Sequence, residues 1–193
     1  MRKSLLVLLM ASVFAGCLSS SAPVEVSNWT IDVSGVASSP GPIPAEGVSH
    51  GAVRLSQVSV RAPYDARQIA VLRKNGSVAF DAYNQFASSP AALAKGAALD
   101  MLASSKAFRS AVASASAVRS ELSAELSINR LALDCRVEGE RKATVALALT
   151  IVRDREIFAA VTGEAAVDAA DGDYSKAFSA AFAMAMEKAL GGL

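Results

Sequence analysis

Apolar and polar residues alternate over several short stretches of the chain, which is the pattern of strands that bury one face. These stretches predict strands at 29–33, 53–60, 69–72, 78–80, 126–137, 143–152 and 157–167. The alternation slips by one residue near Ser56 and Gln57, and this predicts a β-bulge because a bulge adds one residue to a strand. The run 143–152 is almost continuously apolar, which predicts a central strand buried on both faces.

Two pairs of residues between these stretches predict tight hairpins. Asn75-Gly76 separates two apolar runs, and an Asn-Gly pair suits a turn in which both residues take positive φ. Asp154-Arg155 separates the last two predicted strands. Neighbouring strands joined in this way are antiparallel.

Two longer stretches repeat their apolar residues every three and four positions, as an amphipathic helix does. One follows Ser89-Pro90, where serine can cap free amides and proline lacks a donor that would go unpaired in any case. The other covers 174–190 and stops at a pair of glycines. Together the elements predict an α+β fold, a single domain in which two helices pack on one face of a largely antiparallel mixed sheet.

The amino terminus carries an apolar run, 5–14, after Arg2 and Lys3. A membrane-spanning helix needs about 20 apolar residues, so this run has the length of an export signal instead. The stretch that follows, Phe14-Ala15-Gly16-Cys17, resembles a bacterial lipobox. That resemblance implies cleavage after Gly16 and a covalent lipid on Cys17.

This interpretation divides the chain into a signal peptide at 1–16, a flexible lipid-anchored stalk at 17–28 and one domain at 29–193. The residue after the cysteine is Leu18 and not the aspartate that retains many lipoproteins in the inner membrane. The resemblance therefore implies the periplasmic face of the outer membrane of a Gram-negative bacterium. The alternative is an ordinary secretory signal that leaves Cys17 as a thiol.

The net charge and the cysteine content limit the kinds of binding partner and the disulfide bonds that the chain can have. The formal charge is +1, and loss of Arg2 and Lys3 with the signal takes it to about −1, so no strong field favours nucleic acid or anionic lipid. With Cys17 lipidated, Cys135 has no disulfide partner. Its place in an alternating strand predicts a small buried hydrophobe.

Two motifs resemble known functional sites, but each lacks residues that such a site requires. Residues 47–51 match G-x-S-x-G, but the chain's single histidine, His50, is next to the serine and none follows to act as a base. Asp168, Asp171 and Asp173 resemble part of a calcium loop without its closing glutamate, and Asp173 is better interpreted as a helix cap. We therefore expect no catalysis, no metal and no cofactor other than the covalent lipid.

From residue 53 to the end, the chain resembles the ABC-type transport auxiliary lipoprotein family, the outer-membrane partners of MCE (mammalian cell entry) transporters. Four blocks carry the resemblance: residues 58–69 (VSVRAPYDARQI), 83–86 (YNQF) before Ser89-Pro90, 133–135 (LDC) and 174–178 (YSKAF). The resemblance implies a lipoprotein that docks a periplasmic MCE-domain protein at the outer membrane, in a system that moves phospholipids or other lipophiles.

Tyr64, Tyr83 and Phe86 are the candidate partner-contact residues, because aromatic residues beside turns often anchor interfaces. The alternative is that these rings fill the core beneath the loops. A homo-oligomer stays open, as do two other classes of function. One is a carrier with its own apolar lipid cavity, and the other is a structural lipoprotein of an envelope export assembly.

Overall fold

The computed structural model describes residues 24–34, 50–170 and 172–193. The predicted signal peptide, the lipobox with Gly16 and Cys17, and the first part of the predicted stalk lie outside the described residues. The last two residues of the predicted stalk, Ser27 and Asn28, belong to the first strand. The folded domain therefore begins slightly earlier than the sequence pattern predicts.

Eight strands and two helices make up the described part of the chain. In order they are β1 (Ser27–Trp29), β2 (His50–Val60), β3 (Gln68–Arg73), β4 (Val78–Phe86), α1 (Pro90–Ser104), β5 (Phe108–Ala113), β6 (Leu122–Cys135), β7 (Lys142–Arg153), β8 (Glu156–Asp168) and α2 (Tyr174–Leu190).

The long strand β6 organises the sheet. One edge of β6 pairs with β7 over its length, and β7 pairs with β8. The other edge is divided, because β2 pairs with the first half of β6 and β3 pairs with its end. The sheet then continues from β2 to β5 and from β3 through β4 to β1. The loop 61–67 between β2 and β3 includes a cis peptide bond between Ala62 and Pro63.

The predicted fold class is confirmed: the domain is α+β, with two helices and a mixed sheet. Parallel pairing is more frequent than the sequence pattern indicates, since four of the seven strand pairings are parallel. The three antiparallel pairings include the two longest, β6 with β7 and β7 with β8. Two of the four parallel pairings arise because β2 and β3 both run parallel to β6 along one of its edges, and the other two join β2 to β5 and β4 to β1.

Two strands differ from the prediction. β5 was not predicted, since it lies in a stretch rich in serine and alanine where the alternation is weak. It is stabilised by parallel pairing with β2, which is a non-local contact. β1 covers only Ser27–Trp29, and the chain after it is irregular, although Ile31 and Val33 are buried. Their burial explains the apolar alternation that predicts a strand at 29–33.

The bulge and the positions of both hairpins are confirmed, but the turn type predicted at Asn75-Gly76 is wrong. The register of β2 against β6 shifts between Leu55 and Gln57. Asp154 and Arg155 both take positive φ, as a two-residue hairpin requires. At the other hairpin only Gly76 has positive φ, and its N–H donates to the Arg73 carbonyl. That turn is a longer type with glycine in the left-handed position, not the turn with two positive φ values.

The helices cover one face of the sheet. α2 contacts β7 and β8, α1 contacts β2 and β5, and the two helices contact each other. The β6 residues on this face are fully buried: Leu122, Ala124, Leu126, Ile128, Leu131 and Leu133. Each buried leucine or isoleucine stabilises the fold by about 1.5–3 kcal/mol relative to an exposed one. The alternate β7 residues on the other face are mostly half-buried. The prediction that β7 is buried on both faces is therefore wrong.

The segment after β1 is fixed to α2. The Asp32 amide donates to Ser179 Oγ at 2.9 Å, and Ser175 Oγ donates to the Thr30 carbonyl at 2.9 Å. The Trp29 ring lies 5.4 Å from the Tyr174 ring. The point where the chain enters the domain is therefore held in place by the last helix.

Candidate functional site

The three predicted contact residues do not share one surface. Phe86 is buried at 1% exposure, and its ring packs edge-on against Phe178 with centroids 5.3 Å apart. Tyr64 is half-buried in the β2–β3 loop and packs partly against the core. Tyr83 is 58% exposed. The prediction that Phe86 offers a contact surface is therefore wrong, because its ring completes the core, whereas Tyr83 is free to meet a partner.

Tyr83 is presented by a hydrogen-bonded turn within β4. Asp81 Oδ1 accepts from the amides of Tyr83 and Asn84 at 2.9 and 3.1 Å, and Asp81 Oδ2 accepts from Asn84 Nδ2 at 3.1 Å. Asn84 Oδ1 in turn accepts from Trp29 Nε1 at 2.8 Å. This network links β1 to the turn and holds Tyr83 outward.

Two more apolar side chains on β4 are exposed near Tyr83. Val78 is 38% exposed and Phe80 is 44% exposed. Phe80 pairs with Ala70, which pairs with Ala132 of β6, so Phe80 lies on the face of the sheet that carries no helix. We call the group Val78, Phe80 and Tyr83 the edge patch. In the sequence, the edge patch is indicated only by two aromatic residues close together, Phe80 and Tyr83. Alternation alone does not show whether their rings are buried or exposed.

A second aromatic group surrounds His50. The His50 ring lies edge-on to Phe158 with centroids 5.0 Å apart and 6.2 Å from Phe108, and the Arg153 guanidinium lies 4.1 Å from the Phe158 ring centre. Ser49, the serine of the G-x-S-x-G match, lies outside the described residues. The histidine therefore packs among aromatic rings at the start of β2.

The acidic residues before α2 act as local caps. Asp173 Oδ1 accepts from the Lys176 amide at 3.0 Å and caps α2, as predicted. Asp168 Oδ1 accepts from the Ala170 amide at 3.0 Å, and Asp171 lies outside the described residues. Within residues 24–34, 50–170 and 172–193, no three histidine, cysteine or acidic side chains are placed to hold a metal ion together.

A shallow groove lies between the segment 30–33 and α1. Its volume is about 290 Å³, and its lining includes Asp32, Leu93, Gly96 and Asp100. Hydrogen bonds from the Ser34 hydroxyl and amide lower the pKa of Asp32 below its ordinary value, so this carboxylate is ionised at neutral pH. The groove is small, open and acidic at its edge.

Arg54 and Arg136 each make several hydrogen bonds within the domain. The Arg54 guanidinium donates to the carbonyls of Ala113, Ser116 and Val118 and so holds the loop between β5 and β6. Arg136 donates to both carboxylate oxygens of Asp134, and this contact lowers the pKa of Asp134. These cations are already engaged within the domain.

Cys135 ends β6 with an intermediate exposure, as a residue packed against the core. Burial raises the pKa of its thiol above the ordinary value, and the nearby Arg141 charge opposes the rise less strongly. The thiol is therefore protonated at neutral pH. Since the thiolate is the reactive form, Cys135 is expected to be a poor nucleophile.

We expect Cys135 in the folded protein to react with iodoacetamide at pH 8 several-fold more slowly than in the chain unfolded in urea. The variant Cys17→Ser leaves Cys135 as the single thiol, and mass spectrometry follows the reaction. The rate for the folded protein should keep rising up to a higher pH than the rate for a free thiol does, because the raised pKa shifts ionisation of Cys135 to higher pH. Equal rates in the folded and unfolded chains would contradict this prediction.

Neither described helix is both long enough and apolar enough to cross a membrane.

The fold, a branched mixed sheet with two helices on one face, is found in known structures. It is similar to the crystal structure of protein XCC0632 from Xanthomonas campestris, a DUF330 protein, with a TM-score of 0.59 and 15% sequence identity over 78% of this chain and 86% of that one. DUF330 proteins belong to the ABC-type transport auxiliary lipoprotein family.

A second similar crystal structure is that of an uncharacterized protein, with a TM-score of 0.53 and 9% identity over 70% of this chain and 93% of that one. No family model and no curated protein matches the sequence. At these identities the similarity establishes the fold of the domain.

Proposed function

We propose that this chain is a non-catalytic lipoprotein component of an ABC transport system of the MCE type. A lipid on Cys17 holds it at the periplasmic face of the outer membrane, where it docks the periplasmic MCE-domain protein. The system moves phospholipids or other lipophiles between membranes. The observation that supports this proposal most strongly is the combination of a lipobox with the fold of a DUF330 protein.

The proposal gives this chain an anchoring and docking role and no cofactor beyond the covalent lipid. Two or more acyl chains on one residue make membrane attachment stable, whereas a single chain gives only reversible binding. Apart from the lipid, the proposed role requires only a stable domain with surfaces for its partners.

The groove beside α1, which lies among the described residues, does not itself suit the alternative role of a lipid carrier. Pockets that enclose drug-sized ligands have volumes of about 300–1,000 Å³, and a phospholipid is larger than such a ligand. The groove measures about 290 Å³, is open to solvent and has Asp32 and Asp100 in its lining. Both its volume and its carboxylates are unsuited to a pair of acyl chains.

The test is an affinity pulldown from detergent-solubilised envelopes with wild type, Cys17→Ser and Cys135→Ser. We expect wild type in the outer-membrane fraction with an MCE-domain protein bound, and Cys17→Ser in the soluble fraction, because loss of the acyl chains removes the membrane anchor. Cys135→Ser removes the other thiol and keeps the lipid, so it should behave as wild type.

Outer-membrane retention of Cys17→Ser would contradict the anchor. Recovery of polysaccharide or lipopolysaccharide export machinery in place of an MCE-domain protein would replace the transport proposal with a structural role in export.

A further inference from the structure

We propose that the edge patch, Val78, Phe80 and Tyr83, lies against the lipid bilayer and inserts its side chains at the boundary between headgroups and acyl chains. This inference rests on the proposed anchor at Cys17. It assigns an orientation to the domain, with the outer edge of the sheet at β1 and β4 facing the membrane.

The first argument is where exposed apolar side chains are found. The three residues of the edge patch lie within six positions of one strand and are 38%, 44% and 58% exposed. Val24 and Val26, just before β1, are 62% and 39% exposed. Ile157 and Phe158, which are 70% and 40% exposed, form a smaller group elsewhere on the sheet. Apolar side chains that cluster at one edge mark a contact surface, whereas scattered ones need no explanation.

The second argument is the length of chain between the anchor and this edge. Cys17 and Val24 are seven residues apart in the sequence, so even a fully extended chain places their Cα atoms at most about 25 Å apart. β1 pairs in parallel with the end of β4, with Ser27 opposite Asn84. The residues that precede Ser27 therefore lead back along β4 towards Tyr83 and Phe80, and a bilayer that holds Cys17 is within reach of the edge patch.

The third argument is rigidity. Trp29 Nε1 donates to Asn84, and Asn84 donates to Asp81, whose other oxygen accepts from the Tyr83 amide. The entry strand and the turn that presents Tyr83 are thus one hydrogen-bonded unit. A bilayer contact made by a rigid edge loses less conformational entropy than one made by a loop.

The charges around the edge patch are of both signs: Glu25 lies between Val24 and Val26, and Arg73 and Lys74 lie in the hairpin before Val78. Asp81 is the only charged residue between Val78 and Phe86, and both of its carboxylate oxygens accept hydrogen bonds. A basic cluster, which attracts anionic lipid, is not part of this strand. Zwitterionic phospholipid should therefore be sufficient for the contact.

The opposite end of the sheet offers a matched control. Phe158 is 40% exposed, close to the value for Phe80. Positions along β6 give the distance between the two phenylalanines. Ile157, next to Phe158, aligns through Val152 with Ser123 of β6. Phe80 aligns through Ala70 with Ala132, nine residues further along β6. At about 3.3 Å per residue, the two ends lie about 30 Å apart along the strand.

The experiment uses the full lipidated protein reconstituted into phosphatidylcholine vesicles with and without brominated acyl chains, which quench tryptophan fluorescence on contact. The variants are Phe80→Trp, Tyr83→Trp and Phe158→Trp, and Trp29, the single native tryptophan, provides a background common to all. Vesicle flotation and the mass of the amino-terminal peptide are measured on the same samples.

We expect bromolipid to quench the added fluorescence in Phe80→Trp and Tyr83→Trp by about twofold, because an interfacial side chain lies about 5–10 Å deep at the acyl boundary. The signal of Phe158→Trp should not change. Quenching at 80 and 83 but not at 158 supports the proposed orientation.

Quenching at none of the three positions, in protein that carries the lipid and floats with vesicles, overturns the bilayer contact and leaves the anchor intact. The patch would then be free for a protein partner. Equal quenching at all three also overturns the orientation. An amino-terminal peptide without lipid overturns both this inference and the proposed anchor.

Discussion

Gly163→Ala is expected to lower the free energy of unfolding by about 3 kcal/mol, at the upper end of the usual cost of overpacking a core. A Cβ at this position would lie 1.8 Å from the carbonyl oxygen of Ala185 and 2.8 Å from its carbonyl carbon. Both atoms are backbone of α2, so they cannot rotate away as a flexible side chain does. The whole helix would have to move off β8, and its contacts with the strand would weaken.

Urea unfolding followed by circular dichroism measures this effect. The matched control is Gly96→Ala on α1, where an added Cβ meets no atom within 4 Å. Alanine is favoured over glycine in a helix interior, so the control should stabilise the protein by about 0.5–1 kcal/mol. A Gly163→Ala variant as stable as wild type would contradict the close approach of α2 to β8.

The role of Gly163 illustrates what the sequence pattern does not contain. Along the chain, Gly163 is one small residue in a predicted strand, and its φ is not in the left-handed region. Its importance comes from α2, which follows the strand and packs its backbone at Ala185 directly over it. Such a contact depends on how two elements cross, and alternation within either element does not specify that.

Elements with a strong local signal are predicted well. The apolar repeat of Phe178, Phe182 and Met186 predicts a helix at 174–190, and α2 has those bounds. Ser89 caps α1 as predicted, with its Oγ accepting from the Ala92 amide at 3.3 Å. In both cases the periodicity and the capping residue act over a few positions, so they can be recognised without knowing the rest of the fold.

Features that depend on distant parts of the chain are predicted poorly. β5 has little alternation of its own and is a strand because β2 pairs with it. The division of one edge of β6 between β2 and β3 gives two of the four parallel pairings, and a parallel pairing has no short connecting turn that the sequence could reveal. The sequence therefore predicted the class of the fold but not the arrangement of its strands.

The candidate contact residues separate for a related reason. Phe86 and Tyr83 lie three residues apart on one strand, and an odd separation places their rings on opposite faces of the sheet. The register of β3 against β4 is irregular between Gln68 and Ala70, which accommodates the extra residues of the turn at Asp81. The predicted strand ends at Phe80, before this irregular turn, so the alternation did not extend to Tyr83 and Phe86 and could not show which ring is buried.

Phe86→Ala is expected to lower the free energy of unfolding by about 3–5 kcal/mol, the usual cost of removing a buried phenylalanine side chain. Phe86 is 1% exposed and fully surrounded in the core, and its ring meets Phe178 edge-on. The substitution removes that contact and leaves a cavity beside α2. Differential scanning calorimetry and urea unfolding both measure the change.

Tyr83→Ala is the matched control on the same strand. Its ring is 58% exposed, and the turn is held by the Tyr83 amide, which alanine retains. Its stability should therefore stay within about 0.5 kcal/mol of wild type. If instead Tyr83→Ala destabilises as much as Phe86→Ala, the assignment of one ring to the core and the other to the surface is wrong. A large loss for Phe86 alone means that reduced envelope levels of that variant reflect unfolding, so of these two residues Tyr83 is the one that can report on a binding surface.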